Sequence, residues 1–168
     1  DAFQESFSRS RSEARFGNNA YQFNSKTNST VAELNSRISN NFSNNLIIGY
    51  SRIRENRDTF GDLFPQVTIF DPVGTLVFGS ERSSTANELD QDIFEFTDNL
   101  SYLMGKHNFT FGTHNEFFKF RNLFINNLNG RWDFNSIQDL IDNNPSRVRA
   151  GYSLTNNPRP SAEFNAAQ

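Results

Sequence analysis

The sequence predicts an all-β fold of antiparallel strands with many loops. Phe is the main large apolar residue, with 19 copies, and Asn occurs 24 times, while Leu, Ile and Val are sparse. Phe, Tyr and Thr favour strands, whereas Asn favours turns and polar surfaces. Apolar and polar residues also alternate on both sides of Gly105-Lys106, a pair that suits a tight turn. Such a pattern is typical of a β-hairpin.

The composition excludes several classes of protein. A chain of 168 residues is long enough for one domain with a core. Its net charge of −3 and pI near 5.4 give no electrostatic case for nucleic acid as a partner. The absence of Cys excludes disulfides and thiolate metal sites. No apolar run approaches the roughly 20 residues of a membrane helix, but alternating membrane strands have a much weaker sequence signal.

The first predicted elements are a loop and a hairpin. Residues 1–28 are polar and irregular and are expected to form a loop. Residues 30–38 and 46–51 alternate in polarity, and the turn-forming residues 39–45 lie between them. On this hairpin the apolar positions are Ala32, Leu34, Leu46, Ile48 and Tyr50, and the polar positions of the first strand are Glu33, Asn35 and Arg37.

Two long connections follow. Residues 52–91 contain two short β-prone pieces and far exceed the usual connection of about 4 to 6 residues. Residues 122–146 form the second connection, in which Ser136 and Asp139 resemble the capping box of a short helix. An alternating piece, residues 147–154, is expected to be a last strand.

The second hairpin joins a strand from about 93 to 104 with one from 107 to about 120. Pairing across a two-residue turn places Tyr102 opposite Phe109, Leu100 opposite Phe111, and Phe94 opposite Phe117 on one face. The opposite face pairs polar residues: Ser101 with Thr110, Asn99 with Gly112, Thr97 with His114, and Glu95 with Glu116.

Two folds are compatible with this hairpin. In a soluble sandwich the aromatic face is the core; in a membrane barrel it faces lipid and the polar face lines the lumen. Arms of about 12 to 14 residues exceed ordinary strands and match tilted membrane strands. Short turns alternating with long loops are typical of outer-membrane barrels. Asp98, which has the parity of the aromatic face, argues against the barrel unless a bulge redirects it.

We therefore predict antiparallel strands of a transmembrane β-barrel with short periplasmic turns and long extracellular loops. About five or six strands can be counted, and the smallest bacterial barrels have eight. Residues 1–168 are thus expected to be a partial barrel, with loops near 1–28, 52–91 and 122–146. The lumen-facing candidates are Glu33, Asn35, Arg37, Glu95, Thr97, Asn99, Ser101, Thr110, Gly112, His114 and Glu116. The lipid-facing candidates are Ala32, Leu34, Leu46, Ile48, Tyr50, Leu100, Tyr102, Phe109 and Phe111.

Several short motifs resemble the β-barrel of TonB-dependent outer-membrane receptors, in particular the Oar-like branch of Bacteroidetes with a carboxypeptidase-regulatory-like domain. They are a DNL strand end at 98–100, a GKH turn at 105–107, an FTFG strand at 109–112, and the strand-turn-strand NNFSNNLIIGYSRIRENRD at 40–58. FPQVTIFD and GRWDFNSIQDLIDNNPSR resemble surface loops, and AEFNAAQ resembles the lead-in to a further strand. The likeness covers most of residues 26–168, in order.

The resemblance implies a receptor in the cell outer membrane that takes up a substrate. The plug domain and the TonB box are not found in these residues. The implied partners are the plug and the remaining barrel of the same receptor, the TonB complex through that plug, and outer-membrane lipid. The ligand is unknown, and an accessory surface lipoprotein is left open. No cofactor, metal or catalytic residue is predicted, and the chain is not expected to be an enzyme.

The alternative is a soluble or surface-attached β-sandwich that binds glycan or protein; a secreted hydrolase is the least favoured class. His107 is interpreted as a turn residue, and His114 with Glu116 as a lining pair. Three acidic residues, Glu88, Asp90 and Asp92, could bind a hard cation, but a solvated acidic loop is preferred. An aromatic girdle at the membrane boundary is preferred to a stacking surface for residues 117–120. Phe134 and Tyr152 could also belong to a girdle or to a stacking surface. For Trp132 neither interpretation is preferred.

Overall fold

The computed structural model describes residues 2–6, 10, 12–152, 154 and 162–167, most of them in strands. The strands are, in chain order, β1 (Ala2–Ser6), β2 (Glu13–Arg15), β3 (Tyr21–Arg37), β4 (Phe42–Thr59), β5 (Gln66–Asp71), β6 (Gly74–Phe78), β7 (Asn87–Met104), β8 (His107–Phe124), β9 (Arg131–Phe134), β10 (Arg147–Arg149) and β11 (Ala162–Ala167). The helices of this part of the chain are a 3₁₀ turn at Gly17–Asn19 and α1 (Ile137–Ile141). The predicted all-β class is confirmed. Within the described ranges, no helix has the length and apolar character needed to cross a membrane.

The chain divides into two compact units. The strand unit comprises residues 27–53, 90–121 and 163–168, and the loop unit comprises residues 1–26, 54–89 and 122–162. One sheet has six strands in the order β1-β3-β4-β7-β8-β11. Over the described residues this sheet ends at β1 and at β11 and is not closed, so a transmembrane barrel stays a prediction.

Both predicted hairpins are present, with turns at 38–41 and 105–106. Gly105 has φ +61 and is the first residue between the two strands, as in a type II′ turn. The predicted loop limits were wrong, because β3 begins at Tyr21, β4 continues to Thr59 and β7 begins at Asn87. The polar residues there pair across strands instead of forming loops: Ser25 Oγ donates to Glu55 Oε1 at 3.1 Å.

The loop unit contains the second sheet, in the order β10-β9-β5-β6-β2. It is mixed, because β5 pairs with β9 and β2 with β6 in parallel, whereas β5 with β6 and β9 with β10 are antiparallel. Apart from β10, this sheet lies in segments that were predicted to be loops. The predicted helix is confirmed as α1, whose N-cap Ser136 Oγ accepts from Asp139 N at 3.0 Å. The predicted strand 147–154 is shorter: only Arg147–Arg149 form β10, and Ser153 lies outside the described residues.

The apolar core lies in the loop unit. Its buried apolar residues are Ala20, Ile69, Val77, Ala86, Leu123 and Phe134. In the strand unit, residues 27–53 and 90–121 include one buried residue, Gly49, and no buried side chain. Residues 27–53 and 90–121 of the strand unit therefore form no core of their own.

Candidate functional site

The predicted register of β7 and β8 is confirmed by three contacts. Ser101 Oγ lies 3.1 Å from Thr110 Oγ1, and Thr97 Oγ1 lies 2.7 Å from His114 Nδ1. On the other side of the sheet, the rings of Phe94 and Phe117 are 6.2 Å apart. The hairpin therefore separates a polar face from an aromatic face, as the alternation of its residues predicts.

The polar face continues onto β3 and β4. Glu33 Oε1 accepts from Asn45 Nδ2 at 2.6 Å and from Asn35 Nδ2 at 3.0 Å. Asn45 also donates to Asn35 Oδ1 at 2.8 Å. Asn45 was missed as a lining candidate, because the predicted turn, residues 39–45, included it. Arg37 donates to the carbonyl oxygen of Ser39 at 3.4 Å.

Two glycines on the polar face make room for long side chains of β7. A Cβ at Gly112 would collide with the Asn99 side chain, whose Cγ would lie 3.0 Å away. A Cβ at Gly49 would lie 3.1 Å from Glu95 Oε2. Glu95 thus lies over Gly49, although the register places it opposite Glu116. A glycine amid alternating polar residues is the sequence signal for such a close approach.

His114 forms a polar row with Thr97 and Glu116. Its Nε2 lies 3.2 Å from Glu116 Oε1, while its Nδ1 contacts the Thr97 hydroxyl. A hydroxyl, an imidazole and a carboxylate are also the groups of a nucleophilic triad. The His114 side chain, however, is 57% exposed on an open sheet surface. Water solvates charge in such a place, so we interpret the row as polar lining.

The acidic residues at the start of β7 bind neighbouring side chains. Arg121 Nε donates to Asp90 Oδ2 at 2.8 Å, and the Tyr50 hydroxyl donates to Asp92 Oδ1 at 2.8 Å. Across the described ranges of the chain, no three His, Cys, Asp or Glu side chains are grouped so that they could hold a metal ion.

The aromatic face is open. Phe109 is 39% and Phe111 66% exposed, and Leu34, Ile48 and Tyr50 are exposed as well. The rings of Phe42 and Tyr102 stack at 4.3 Å. Asp98 remains on this face, because Asn44 Nδ2 donates to its Oδ1 at 2.6 Å. Among its apolar side chains the face therefore carries polar pairs, which also include Tyr50 with Asp92 and Asn115 with Thr113.

The aromatic residues of β9 belong to the loop unit. Phe134 is 1% exposed, so it serves in the core and neither as a girdle nor as a stacking surface. Trp132 is half-buried, with its ring centroid 6.5 Å from that of Phe134. Tyr152 is exposed.

Comparisons of the chain with protein-family models, with curated proteins and with solved structures give no match.

Proposed function

We propose that this chain forms part of the barrel wall and two loops of a TonB-dependent outer-membrane receptor, which takes up a substrate across that membrane. The observation that carries the proposal is the strand unit, in which residues 27–53 and 90–121 bury no side chain. A sheet with an open aromatic face needs a cover, since large exposed apolar patches mark interaction or membrane surfaces. Lipid is such a cover, and the opposite polar face suits a water-filled lumen.

The parts of the chain have different roles in this proposal. Leu34, Ile48, Phe109 and Phe111 would contact lipid, and the polar face with His114 would line the lumen. The long connections, which here form a unit with its own core, would capture the ligand outside the cell. The resemblance of the GKH turn and its flanking strands to this family adds support. Uptake would further require the plug, the remaining barrel and the TonB complex, with no catalysis by this chain.

One observation favours a second candidate, a soluble or surface-attached β-sandwich that binds glycan or protein. Asp98 and Asn44 lie on the aromatic face, where lipid offers no hydrogen bonds. A second protein sheet packed on that face could satisfy this pair. It would then also bury Tyr102, Phe109 and Phe111.

Two neighbouring substitutions test the proposal. Phe109→Asp places a carboxylate on the aromatic face, and Thr110→Asp places one on the polar face of the same strand. In a barrel, Phe109→Asp impairs insertion into lipid vesicles, with a cost of less than about 4 kcal/mol, while Thr110→Asp inserts normally. Insertion is measured by protection from protease. If both variants remain in solution with the fold of the wild type, the membrane proposal is wrong.

A further inference from the structure

The strand β10 leaves one edge of the second sheet open. In the order β10-β9-β5-β6-β2, no described strand pairs with the outer side of β10. An edge strand presents backbone N–H and C=O groups with which a further strand can pair. The side chains of Arg147 and Val148 lie on opposite faces of the sheet, and both are exposed. This edge can therefore be approached by another extended segment.

One face of this edge is positively charged. Arg147 lies opposite Asp133 and Arg149 lies opposite Arg131 in the register of β10 and β9, so the four side chains share one face. Arg131 Nε donates to Asp133 Oδ1 at 2.7 Å, and Arg149 Nη2 lies 3.4 Å from Asp133 Oδ2. Asp133 is 4% exposed and is held between these two guanidinium groups. Because three arginines share this one carboxylate, this face of β9 and β10 keeps a positive charge.

The charge of Arg147 is left without a partner in the described part of the chain. Its side chain is exposed and forms no hydrogen bond or ion pair with the described residues. The carboxylates of the preceding helical segment have partners of their own. Asp139 accepts from Ser136 Oγ at 2.8 Å, and Asp142 accepts from Gln138 Nε2 at 2.9 Å. The edge therefore favours a partner that brings carboxylates.

The other face of the edge is apolar. Val148 lies opposite Trp132 in the same register, and Val148 is 55% exposed while Trp132 is half-buried. In an extended segment, successive side chains point to opposite faces. A segment in which acidic and apolar residues alternate thus places its carboxylates beside the arginines and its apolar side chains beside Val148.

We infer that the β10 edge binds an extended acidic segment of a partner protein, which adds a strand to the second sheet. In this mode of binding, main-chain hydrogen bonds supply affinity and alternate side chains supply specificity. Arg147 and Arg149 pair with the carboxylates of the segment, and Val148 contacts its apolar side chains. The inference concerns the loop unit alone and goes beyond the proposed uptake, so its failure leaves the barrel proposal untouched.

The fluorescence of Trp132 tests the inference, because this residue is the single Trp of the chain and the register partner of Val148. The full chain is refolded in a non-ionic detergent and titrated at low salt with the blocked pentapeptide EVEVE. We expect a saturable change in fluorescence. The pentapeptide KVKVK has the same pattern with the opposite charge and should bind at least about tenfold more weakly. EVEVE with N-methylated backbone amides keeps its carboxylates but loses its main-chain donors, and it should bind about tenfold more weakly as well.

Arg147→Glu should weaken the binding of EVEVE about fivefold to tenfold, because an exposed ion pair is replaced by a repulsion. The matched control is Lys106→Glu, which makes the same charge change at the exposed β7–β8 turn and should leave binding unchanged. Equal urea midpoints must show that both variants fold as the wild type does. If one does not, the comparison of EVEVE with its N-methylated form on the wild type decides.

The inference is wrong if EVEVE produces no saturable change, if KVKVK binds as tightly, or if the two variants bind EVEVE alike. It is also wrong if the N-methylated peptide binds as tightly as EVEVE. The arginines would then bind carboxylates without the addition of a strand.

Discussion

The core of the loop unit depends on Phe134. This side chain is 1% exposed, and in the parallel register of β9 and β5 it lies beside Ile69, another buried residue. Phe134→Ala deletes the whole ring from a packed site, and such changes cost about 3–5 kcal/mol of the free energy of unfolding. The matched control is Phe111→Ala on the aromatic face, where the ring is 66% exposed and its loss should change stability in solution by no more than about 0.5 kcal/mol.

Urea unfolding followed by fluorescence measures this difference. Trp132 is the single Trp of the chain, and it lies next to Phe134 in the loop unit. With a urea dependence of about 2 kcal/mol per molar, a loss of 3–5 kcal/mol lowers the midpoint by about 1.5–2.5 M. Phe134→Leu, which keeps most of the apolar volume, should fall between wild type and Phe134→Ala. Equal midpoints for Phe134→Ala and Phe111→Ala would refute the location of the core.

Three further predictions concern single features of the fold. Asp133→Ala removes a buried carboxylate that pairs with two arginines, and it should lower the free energy of unfolding, measured by the same urea titration, by about 3 kcal/mol. Asp133→Asn keeps a hydrogen-bond acceptor and should lower the free energy of unfolding by less. Gly105→Val forces a β-branched residue to φ +61 and should destabilise the β7–β8 hairpin by about 1–3 kcal/mol, seen as faster amide exchange there; unchanged exchange would contradict the turn. Asn44→Leu/Asp98→Leu should raise the unfolding midpoint in detergent micelles if lipid covers the aromatic face, and should lower it if a protein sheet does.

The hairpins could be predicted because their signal is local. Alternation on both sides of Gly105 sets the register of β7 and β8, and this register brings Ser101 to Thr110 and Thr97 to His114. The cap of α1 could also be predicted from the sequence, since Ser136 and Asp139 lie within one helical turn of each other. These predictions depend on residues only a few positions apart or on one turn.

The second sheet could not be predicted, because its partners are distant in sequence. Gln66 in β5 pairs with Arg131 in β9, and Glu13 in β2 pairs with Thr75 in β6. Parallel pairs have no turn between them to fix the register. The ends of the long strands were missed for a different reason. Polar residues such as Ser25 and Glu55 continue the strands and form hydrogen bonds with each other across them. A prediction based on the alternation of apolar residues assigns such polar segments to loops.

The most direct test of the membrane proposal measures the mass and the location of the native polypeptide. An antibody against the loop unit detects the polypeptide in cell fractions before and after detergent extraction. The proposal predicts a polypeptide several times heavier than the 19.3 kDa of this chain, found in the outer membrane and released only by detergent. A free-standing protein of 19.3 kDa in the soluble fraction would contradict it. The aromatic face would then be covered by protein, and the binding site would have to be sought on a soluble sandwich.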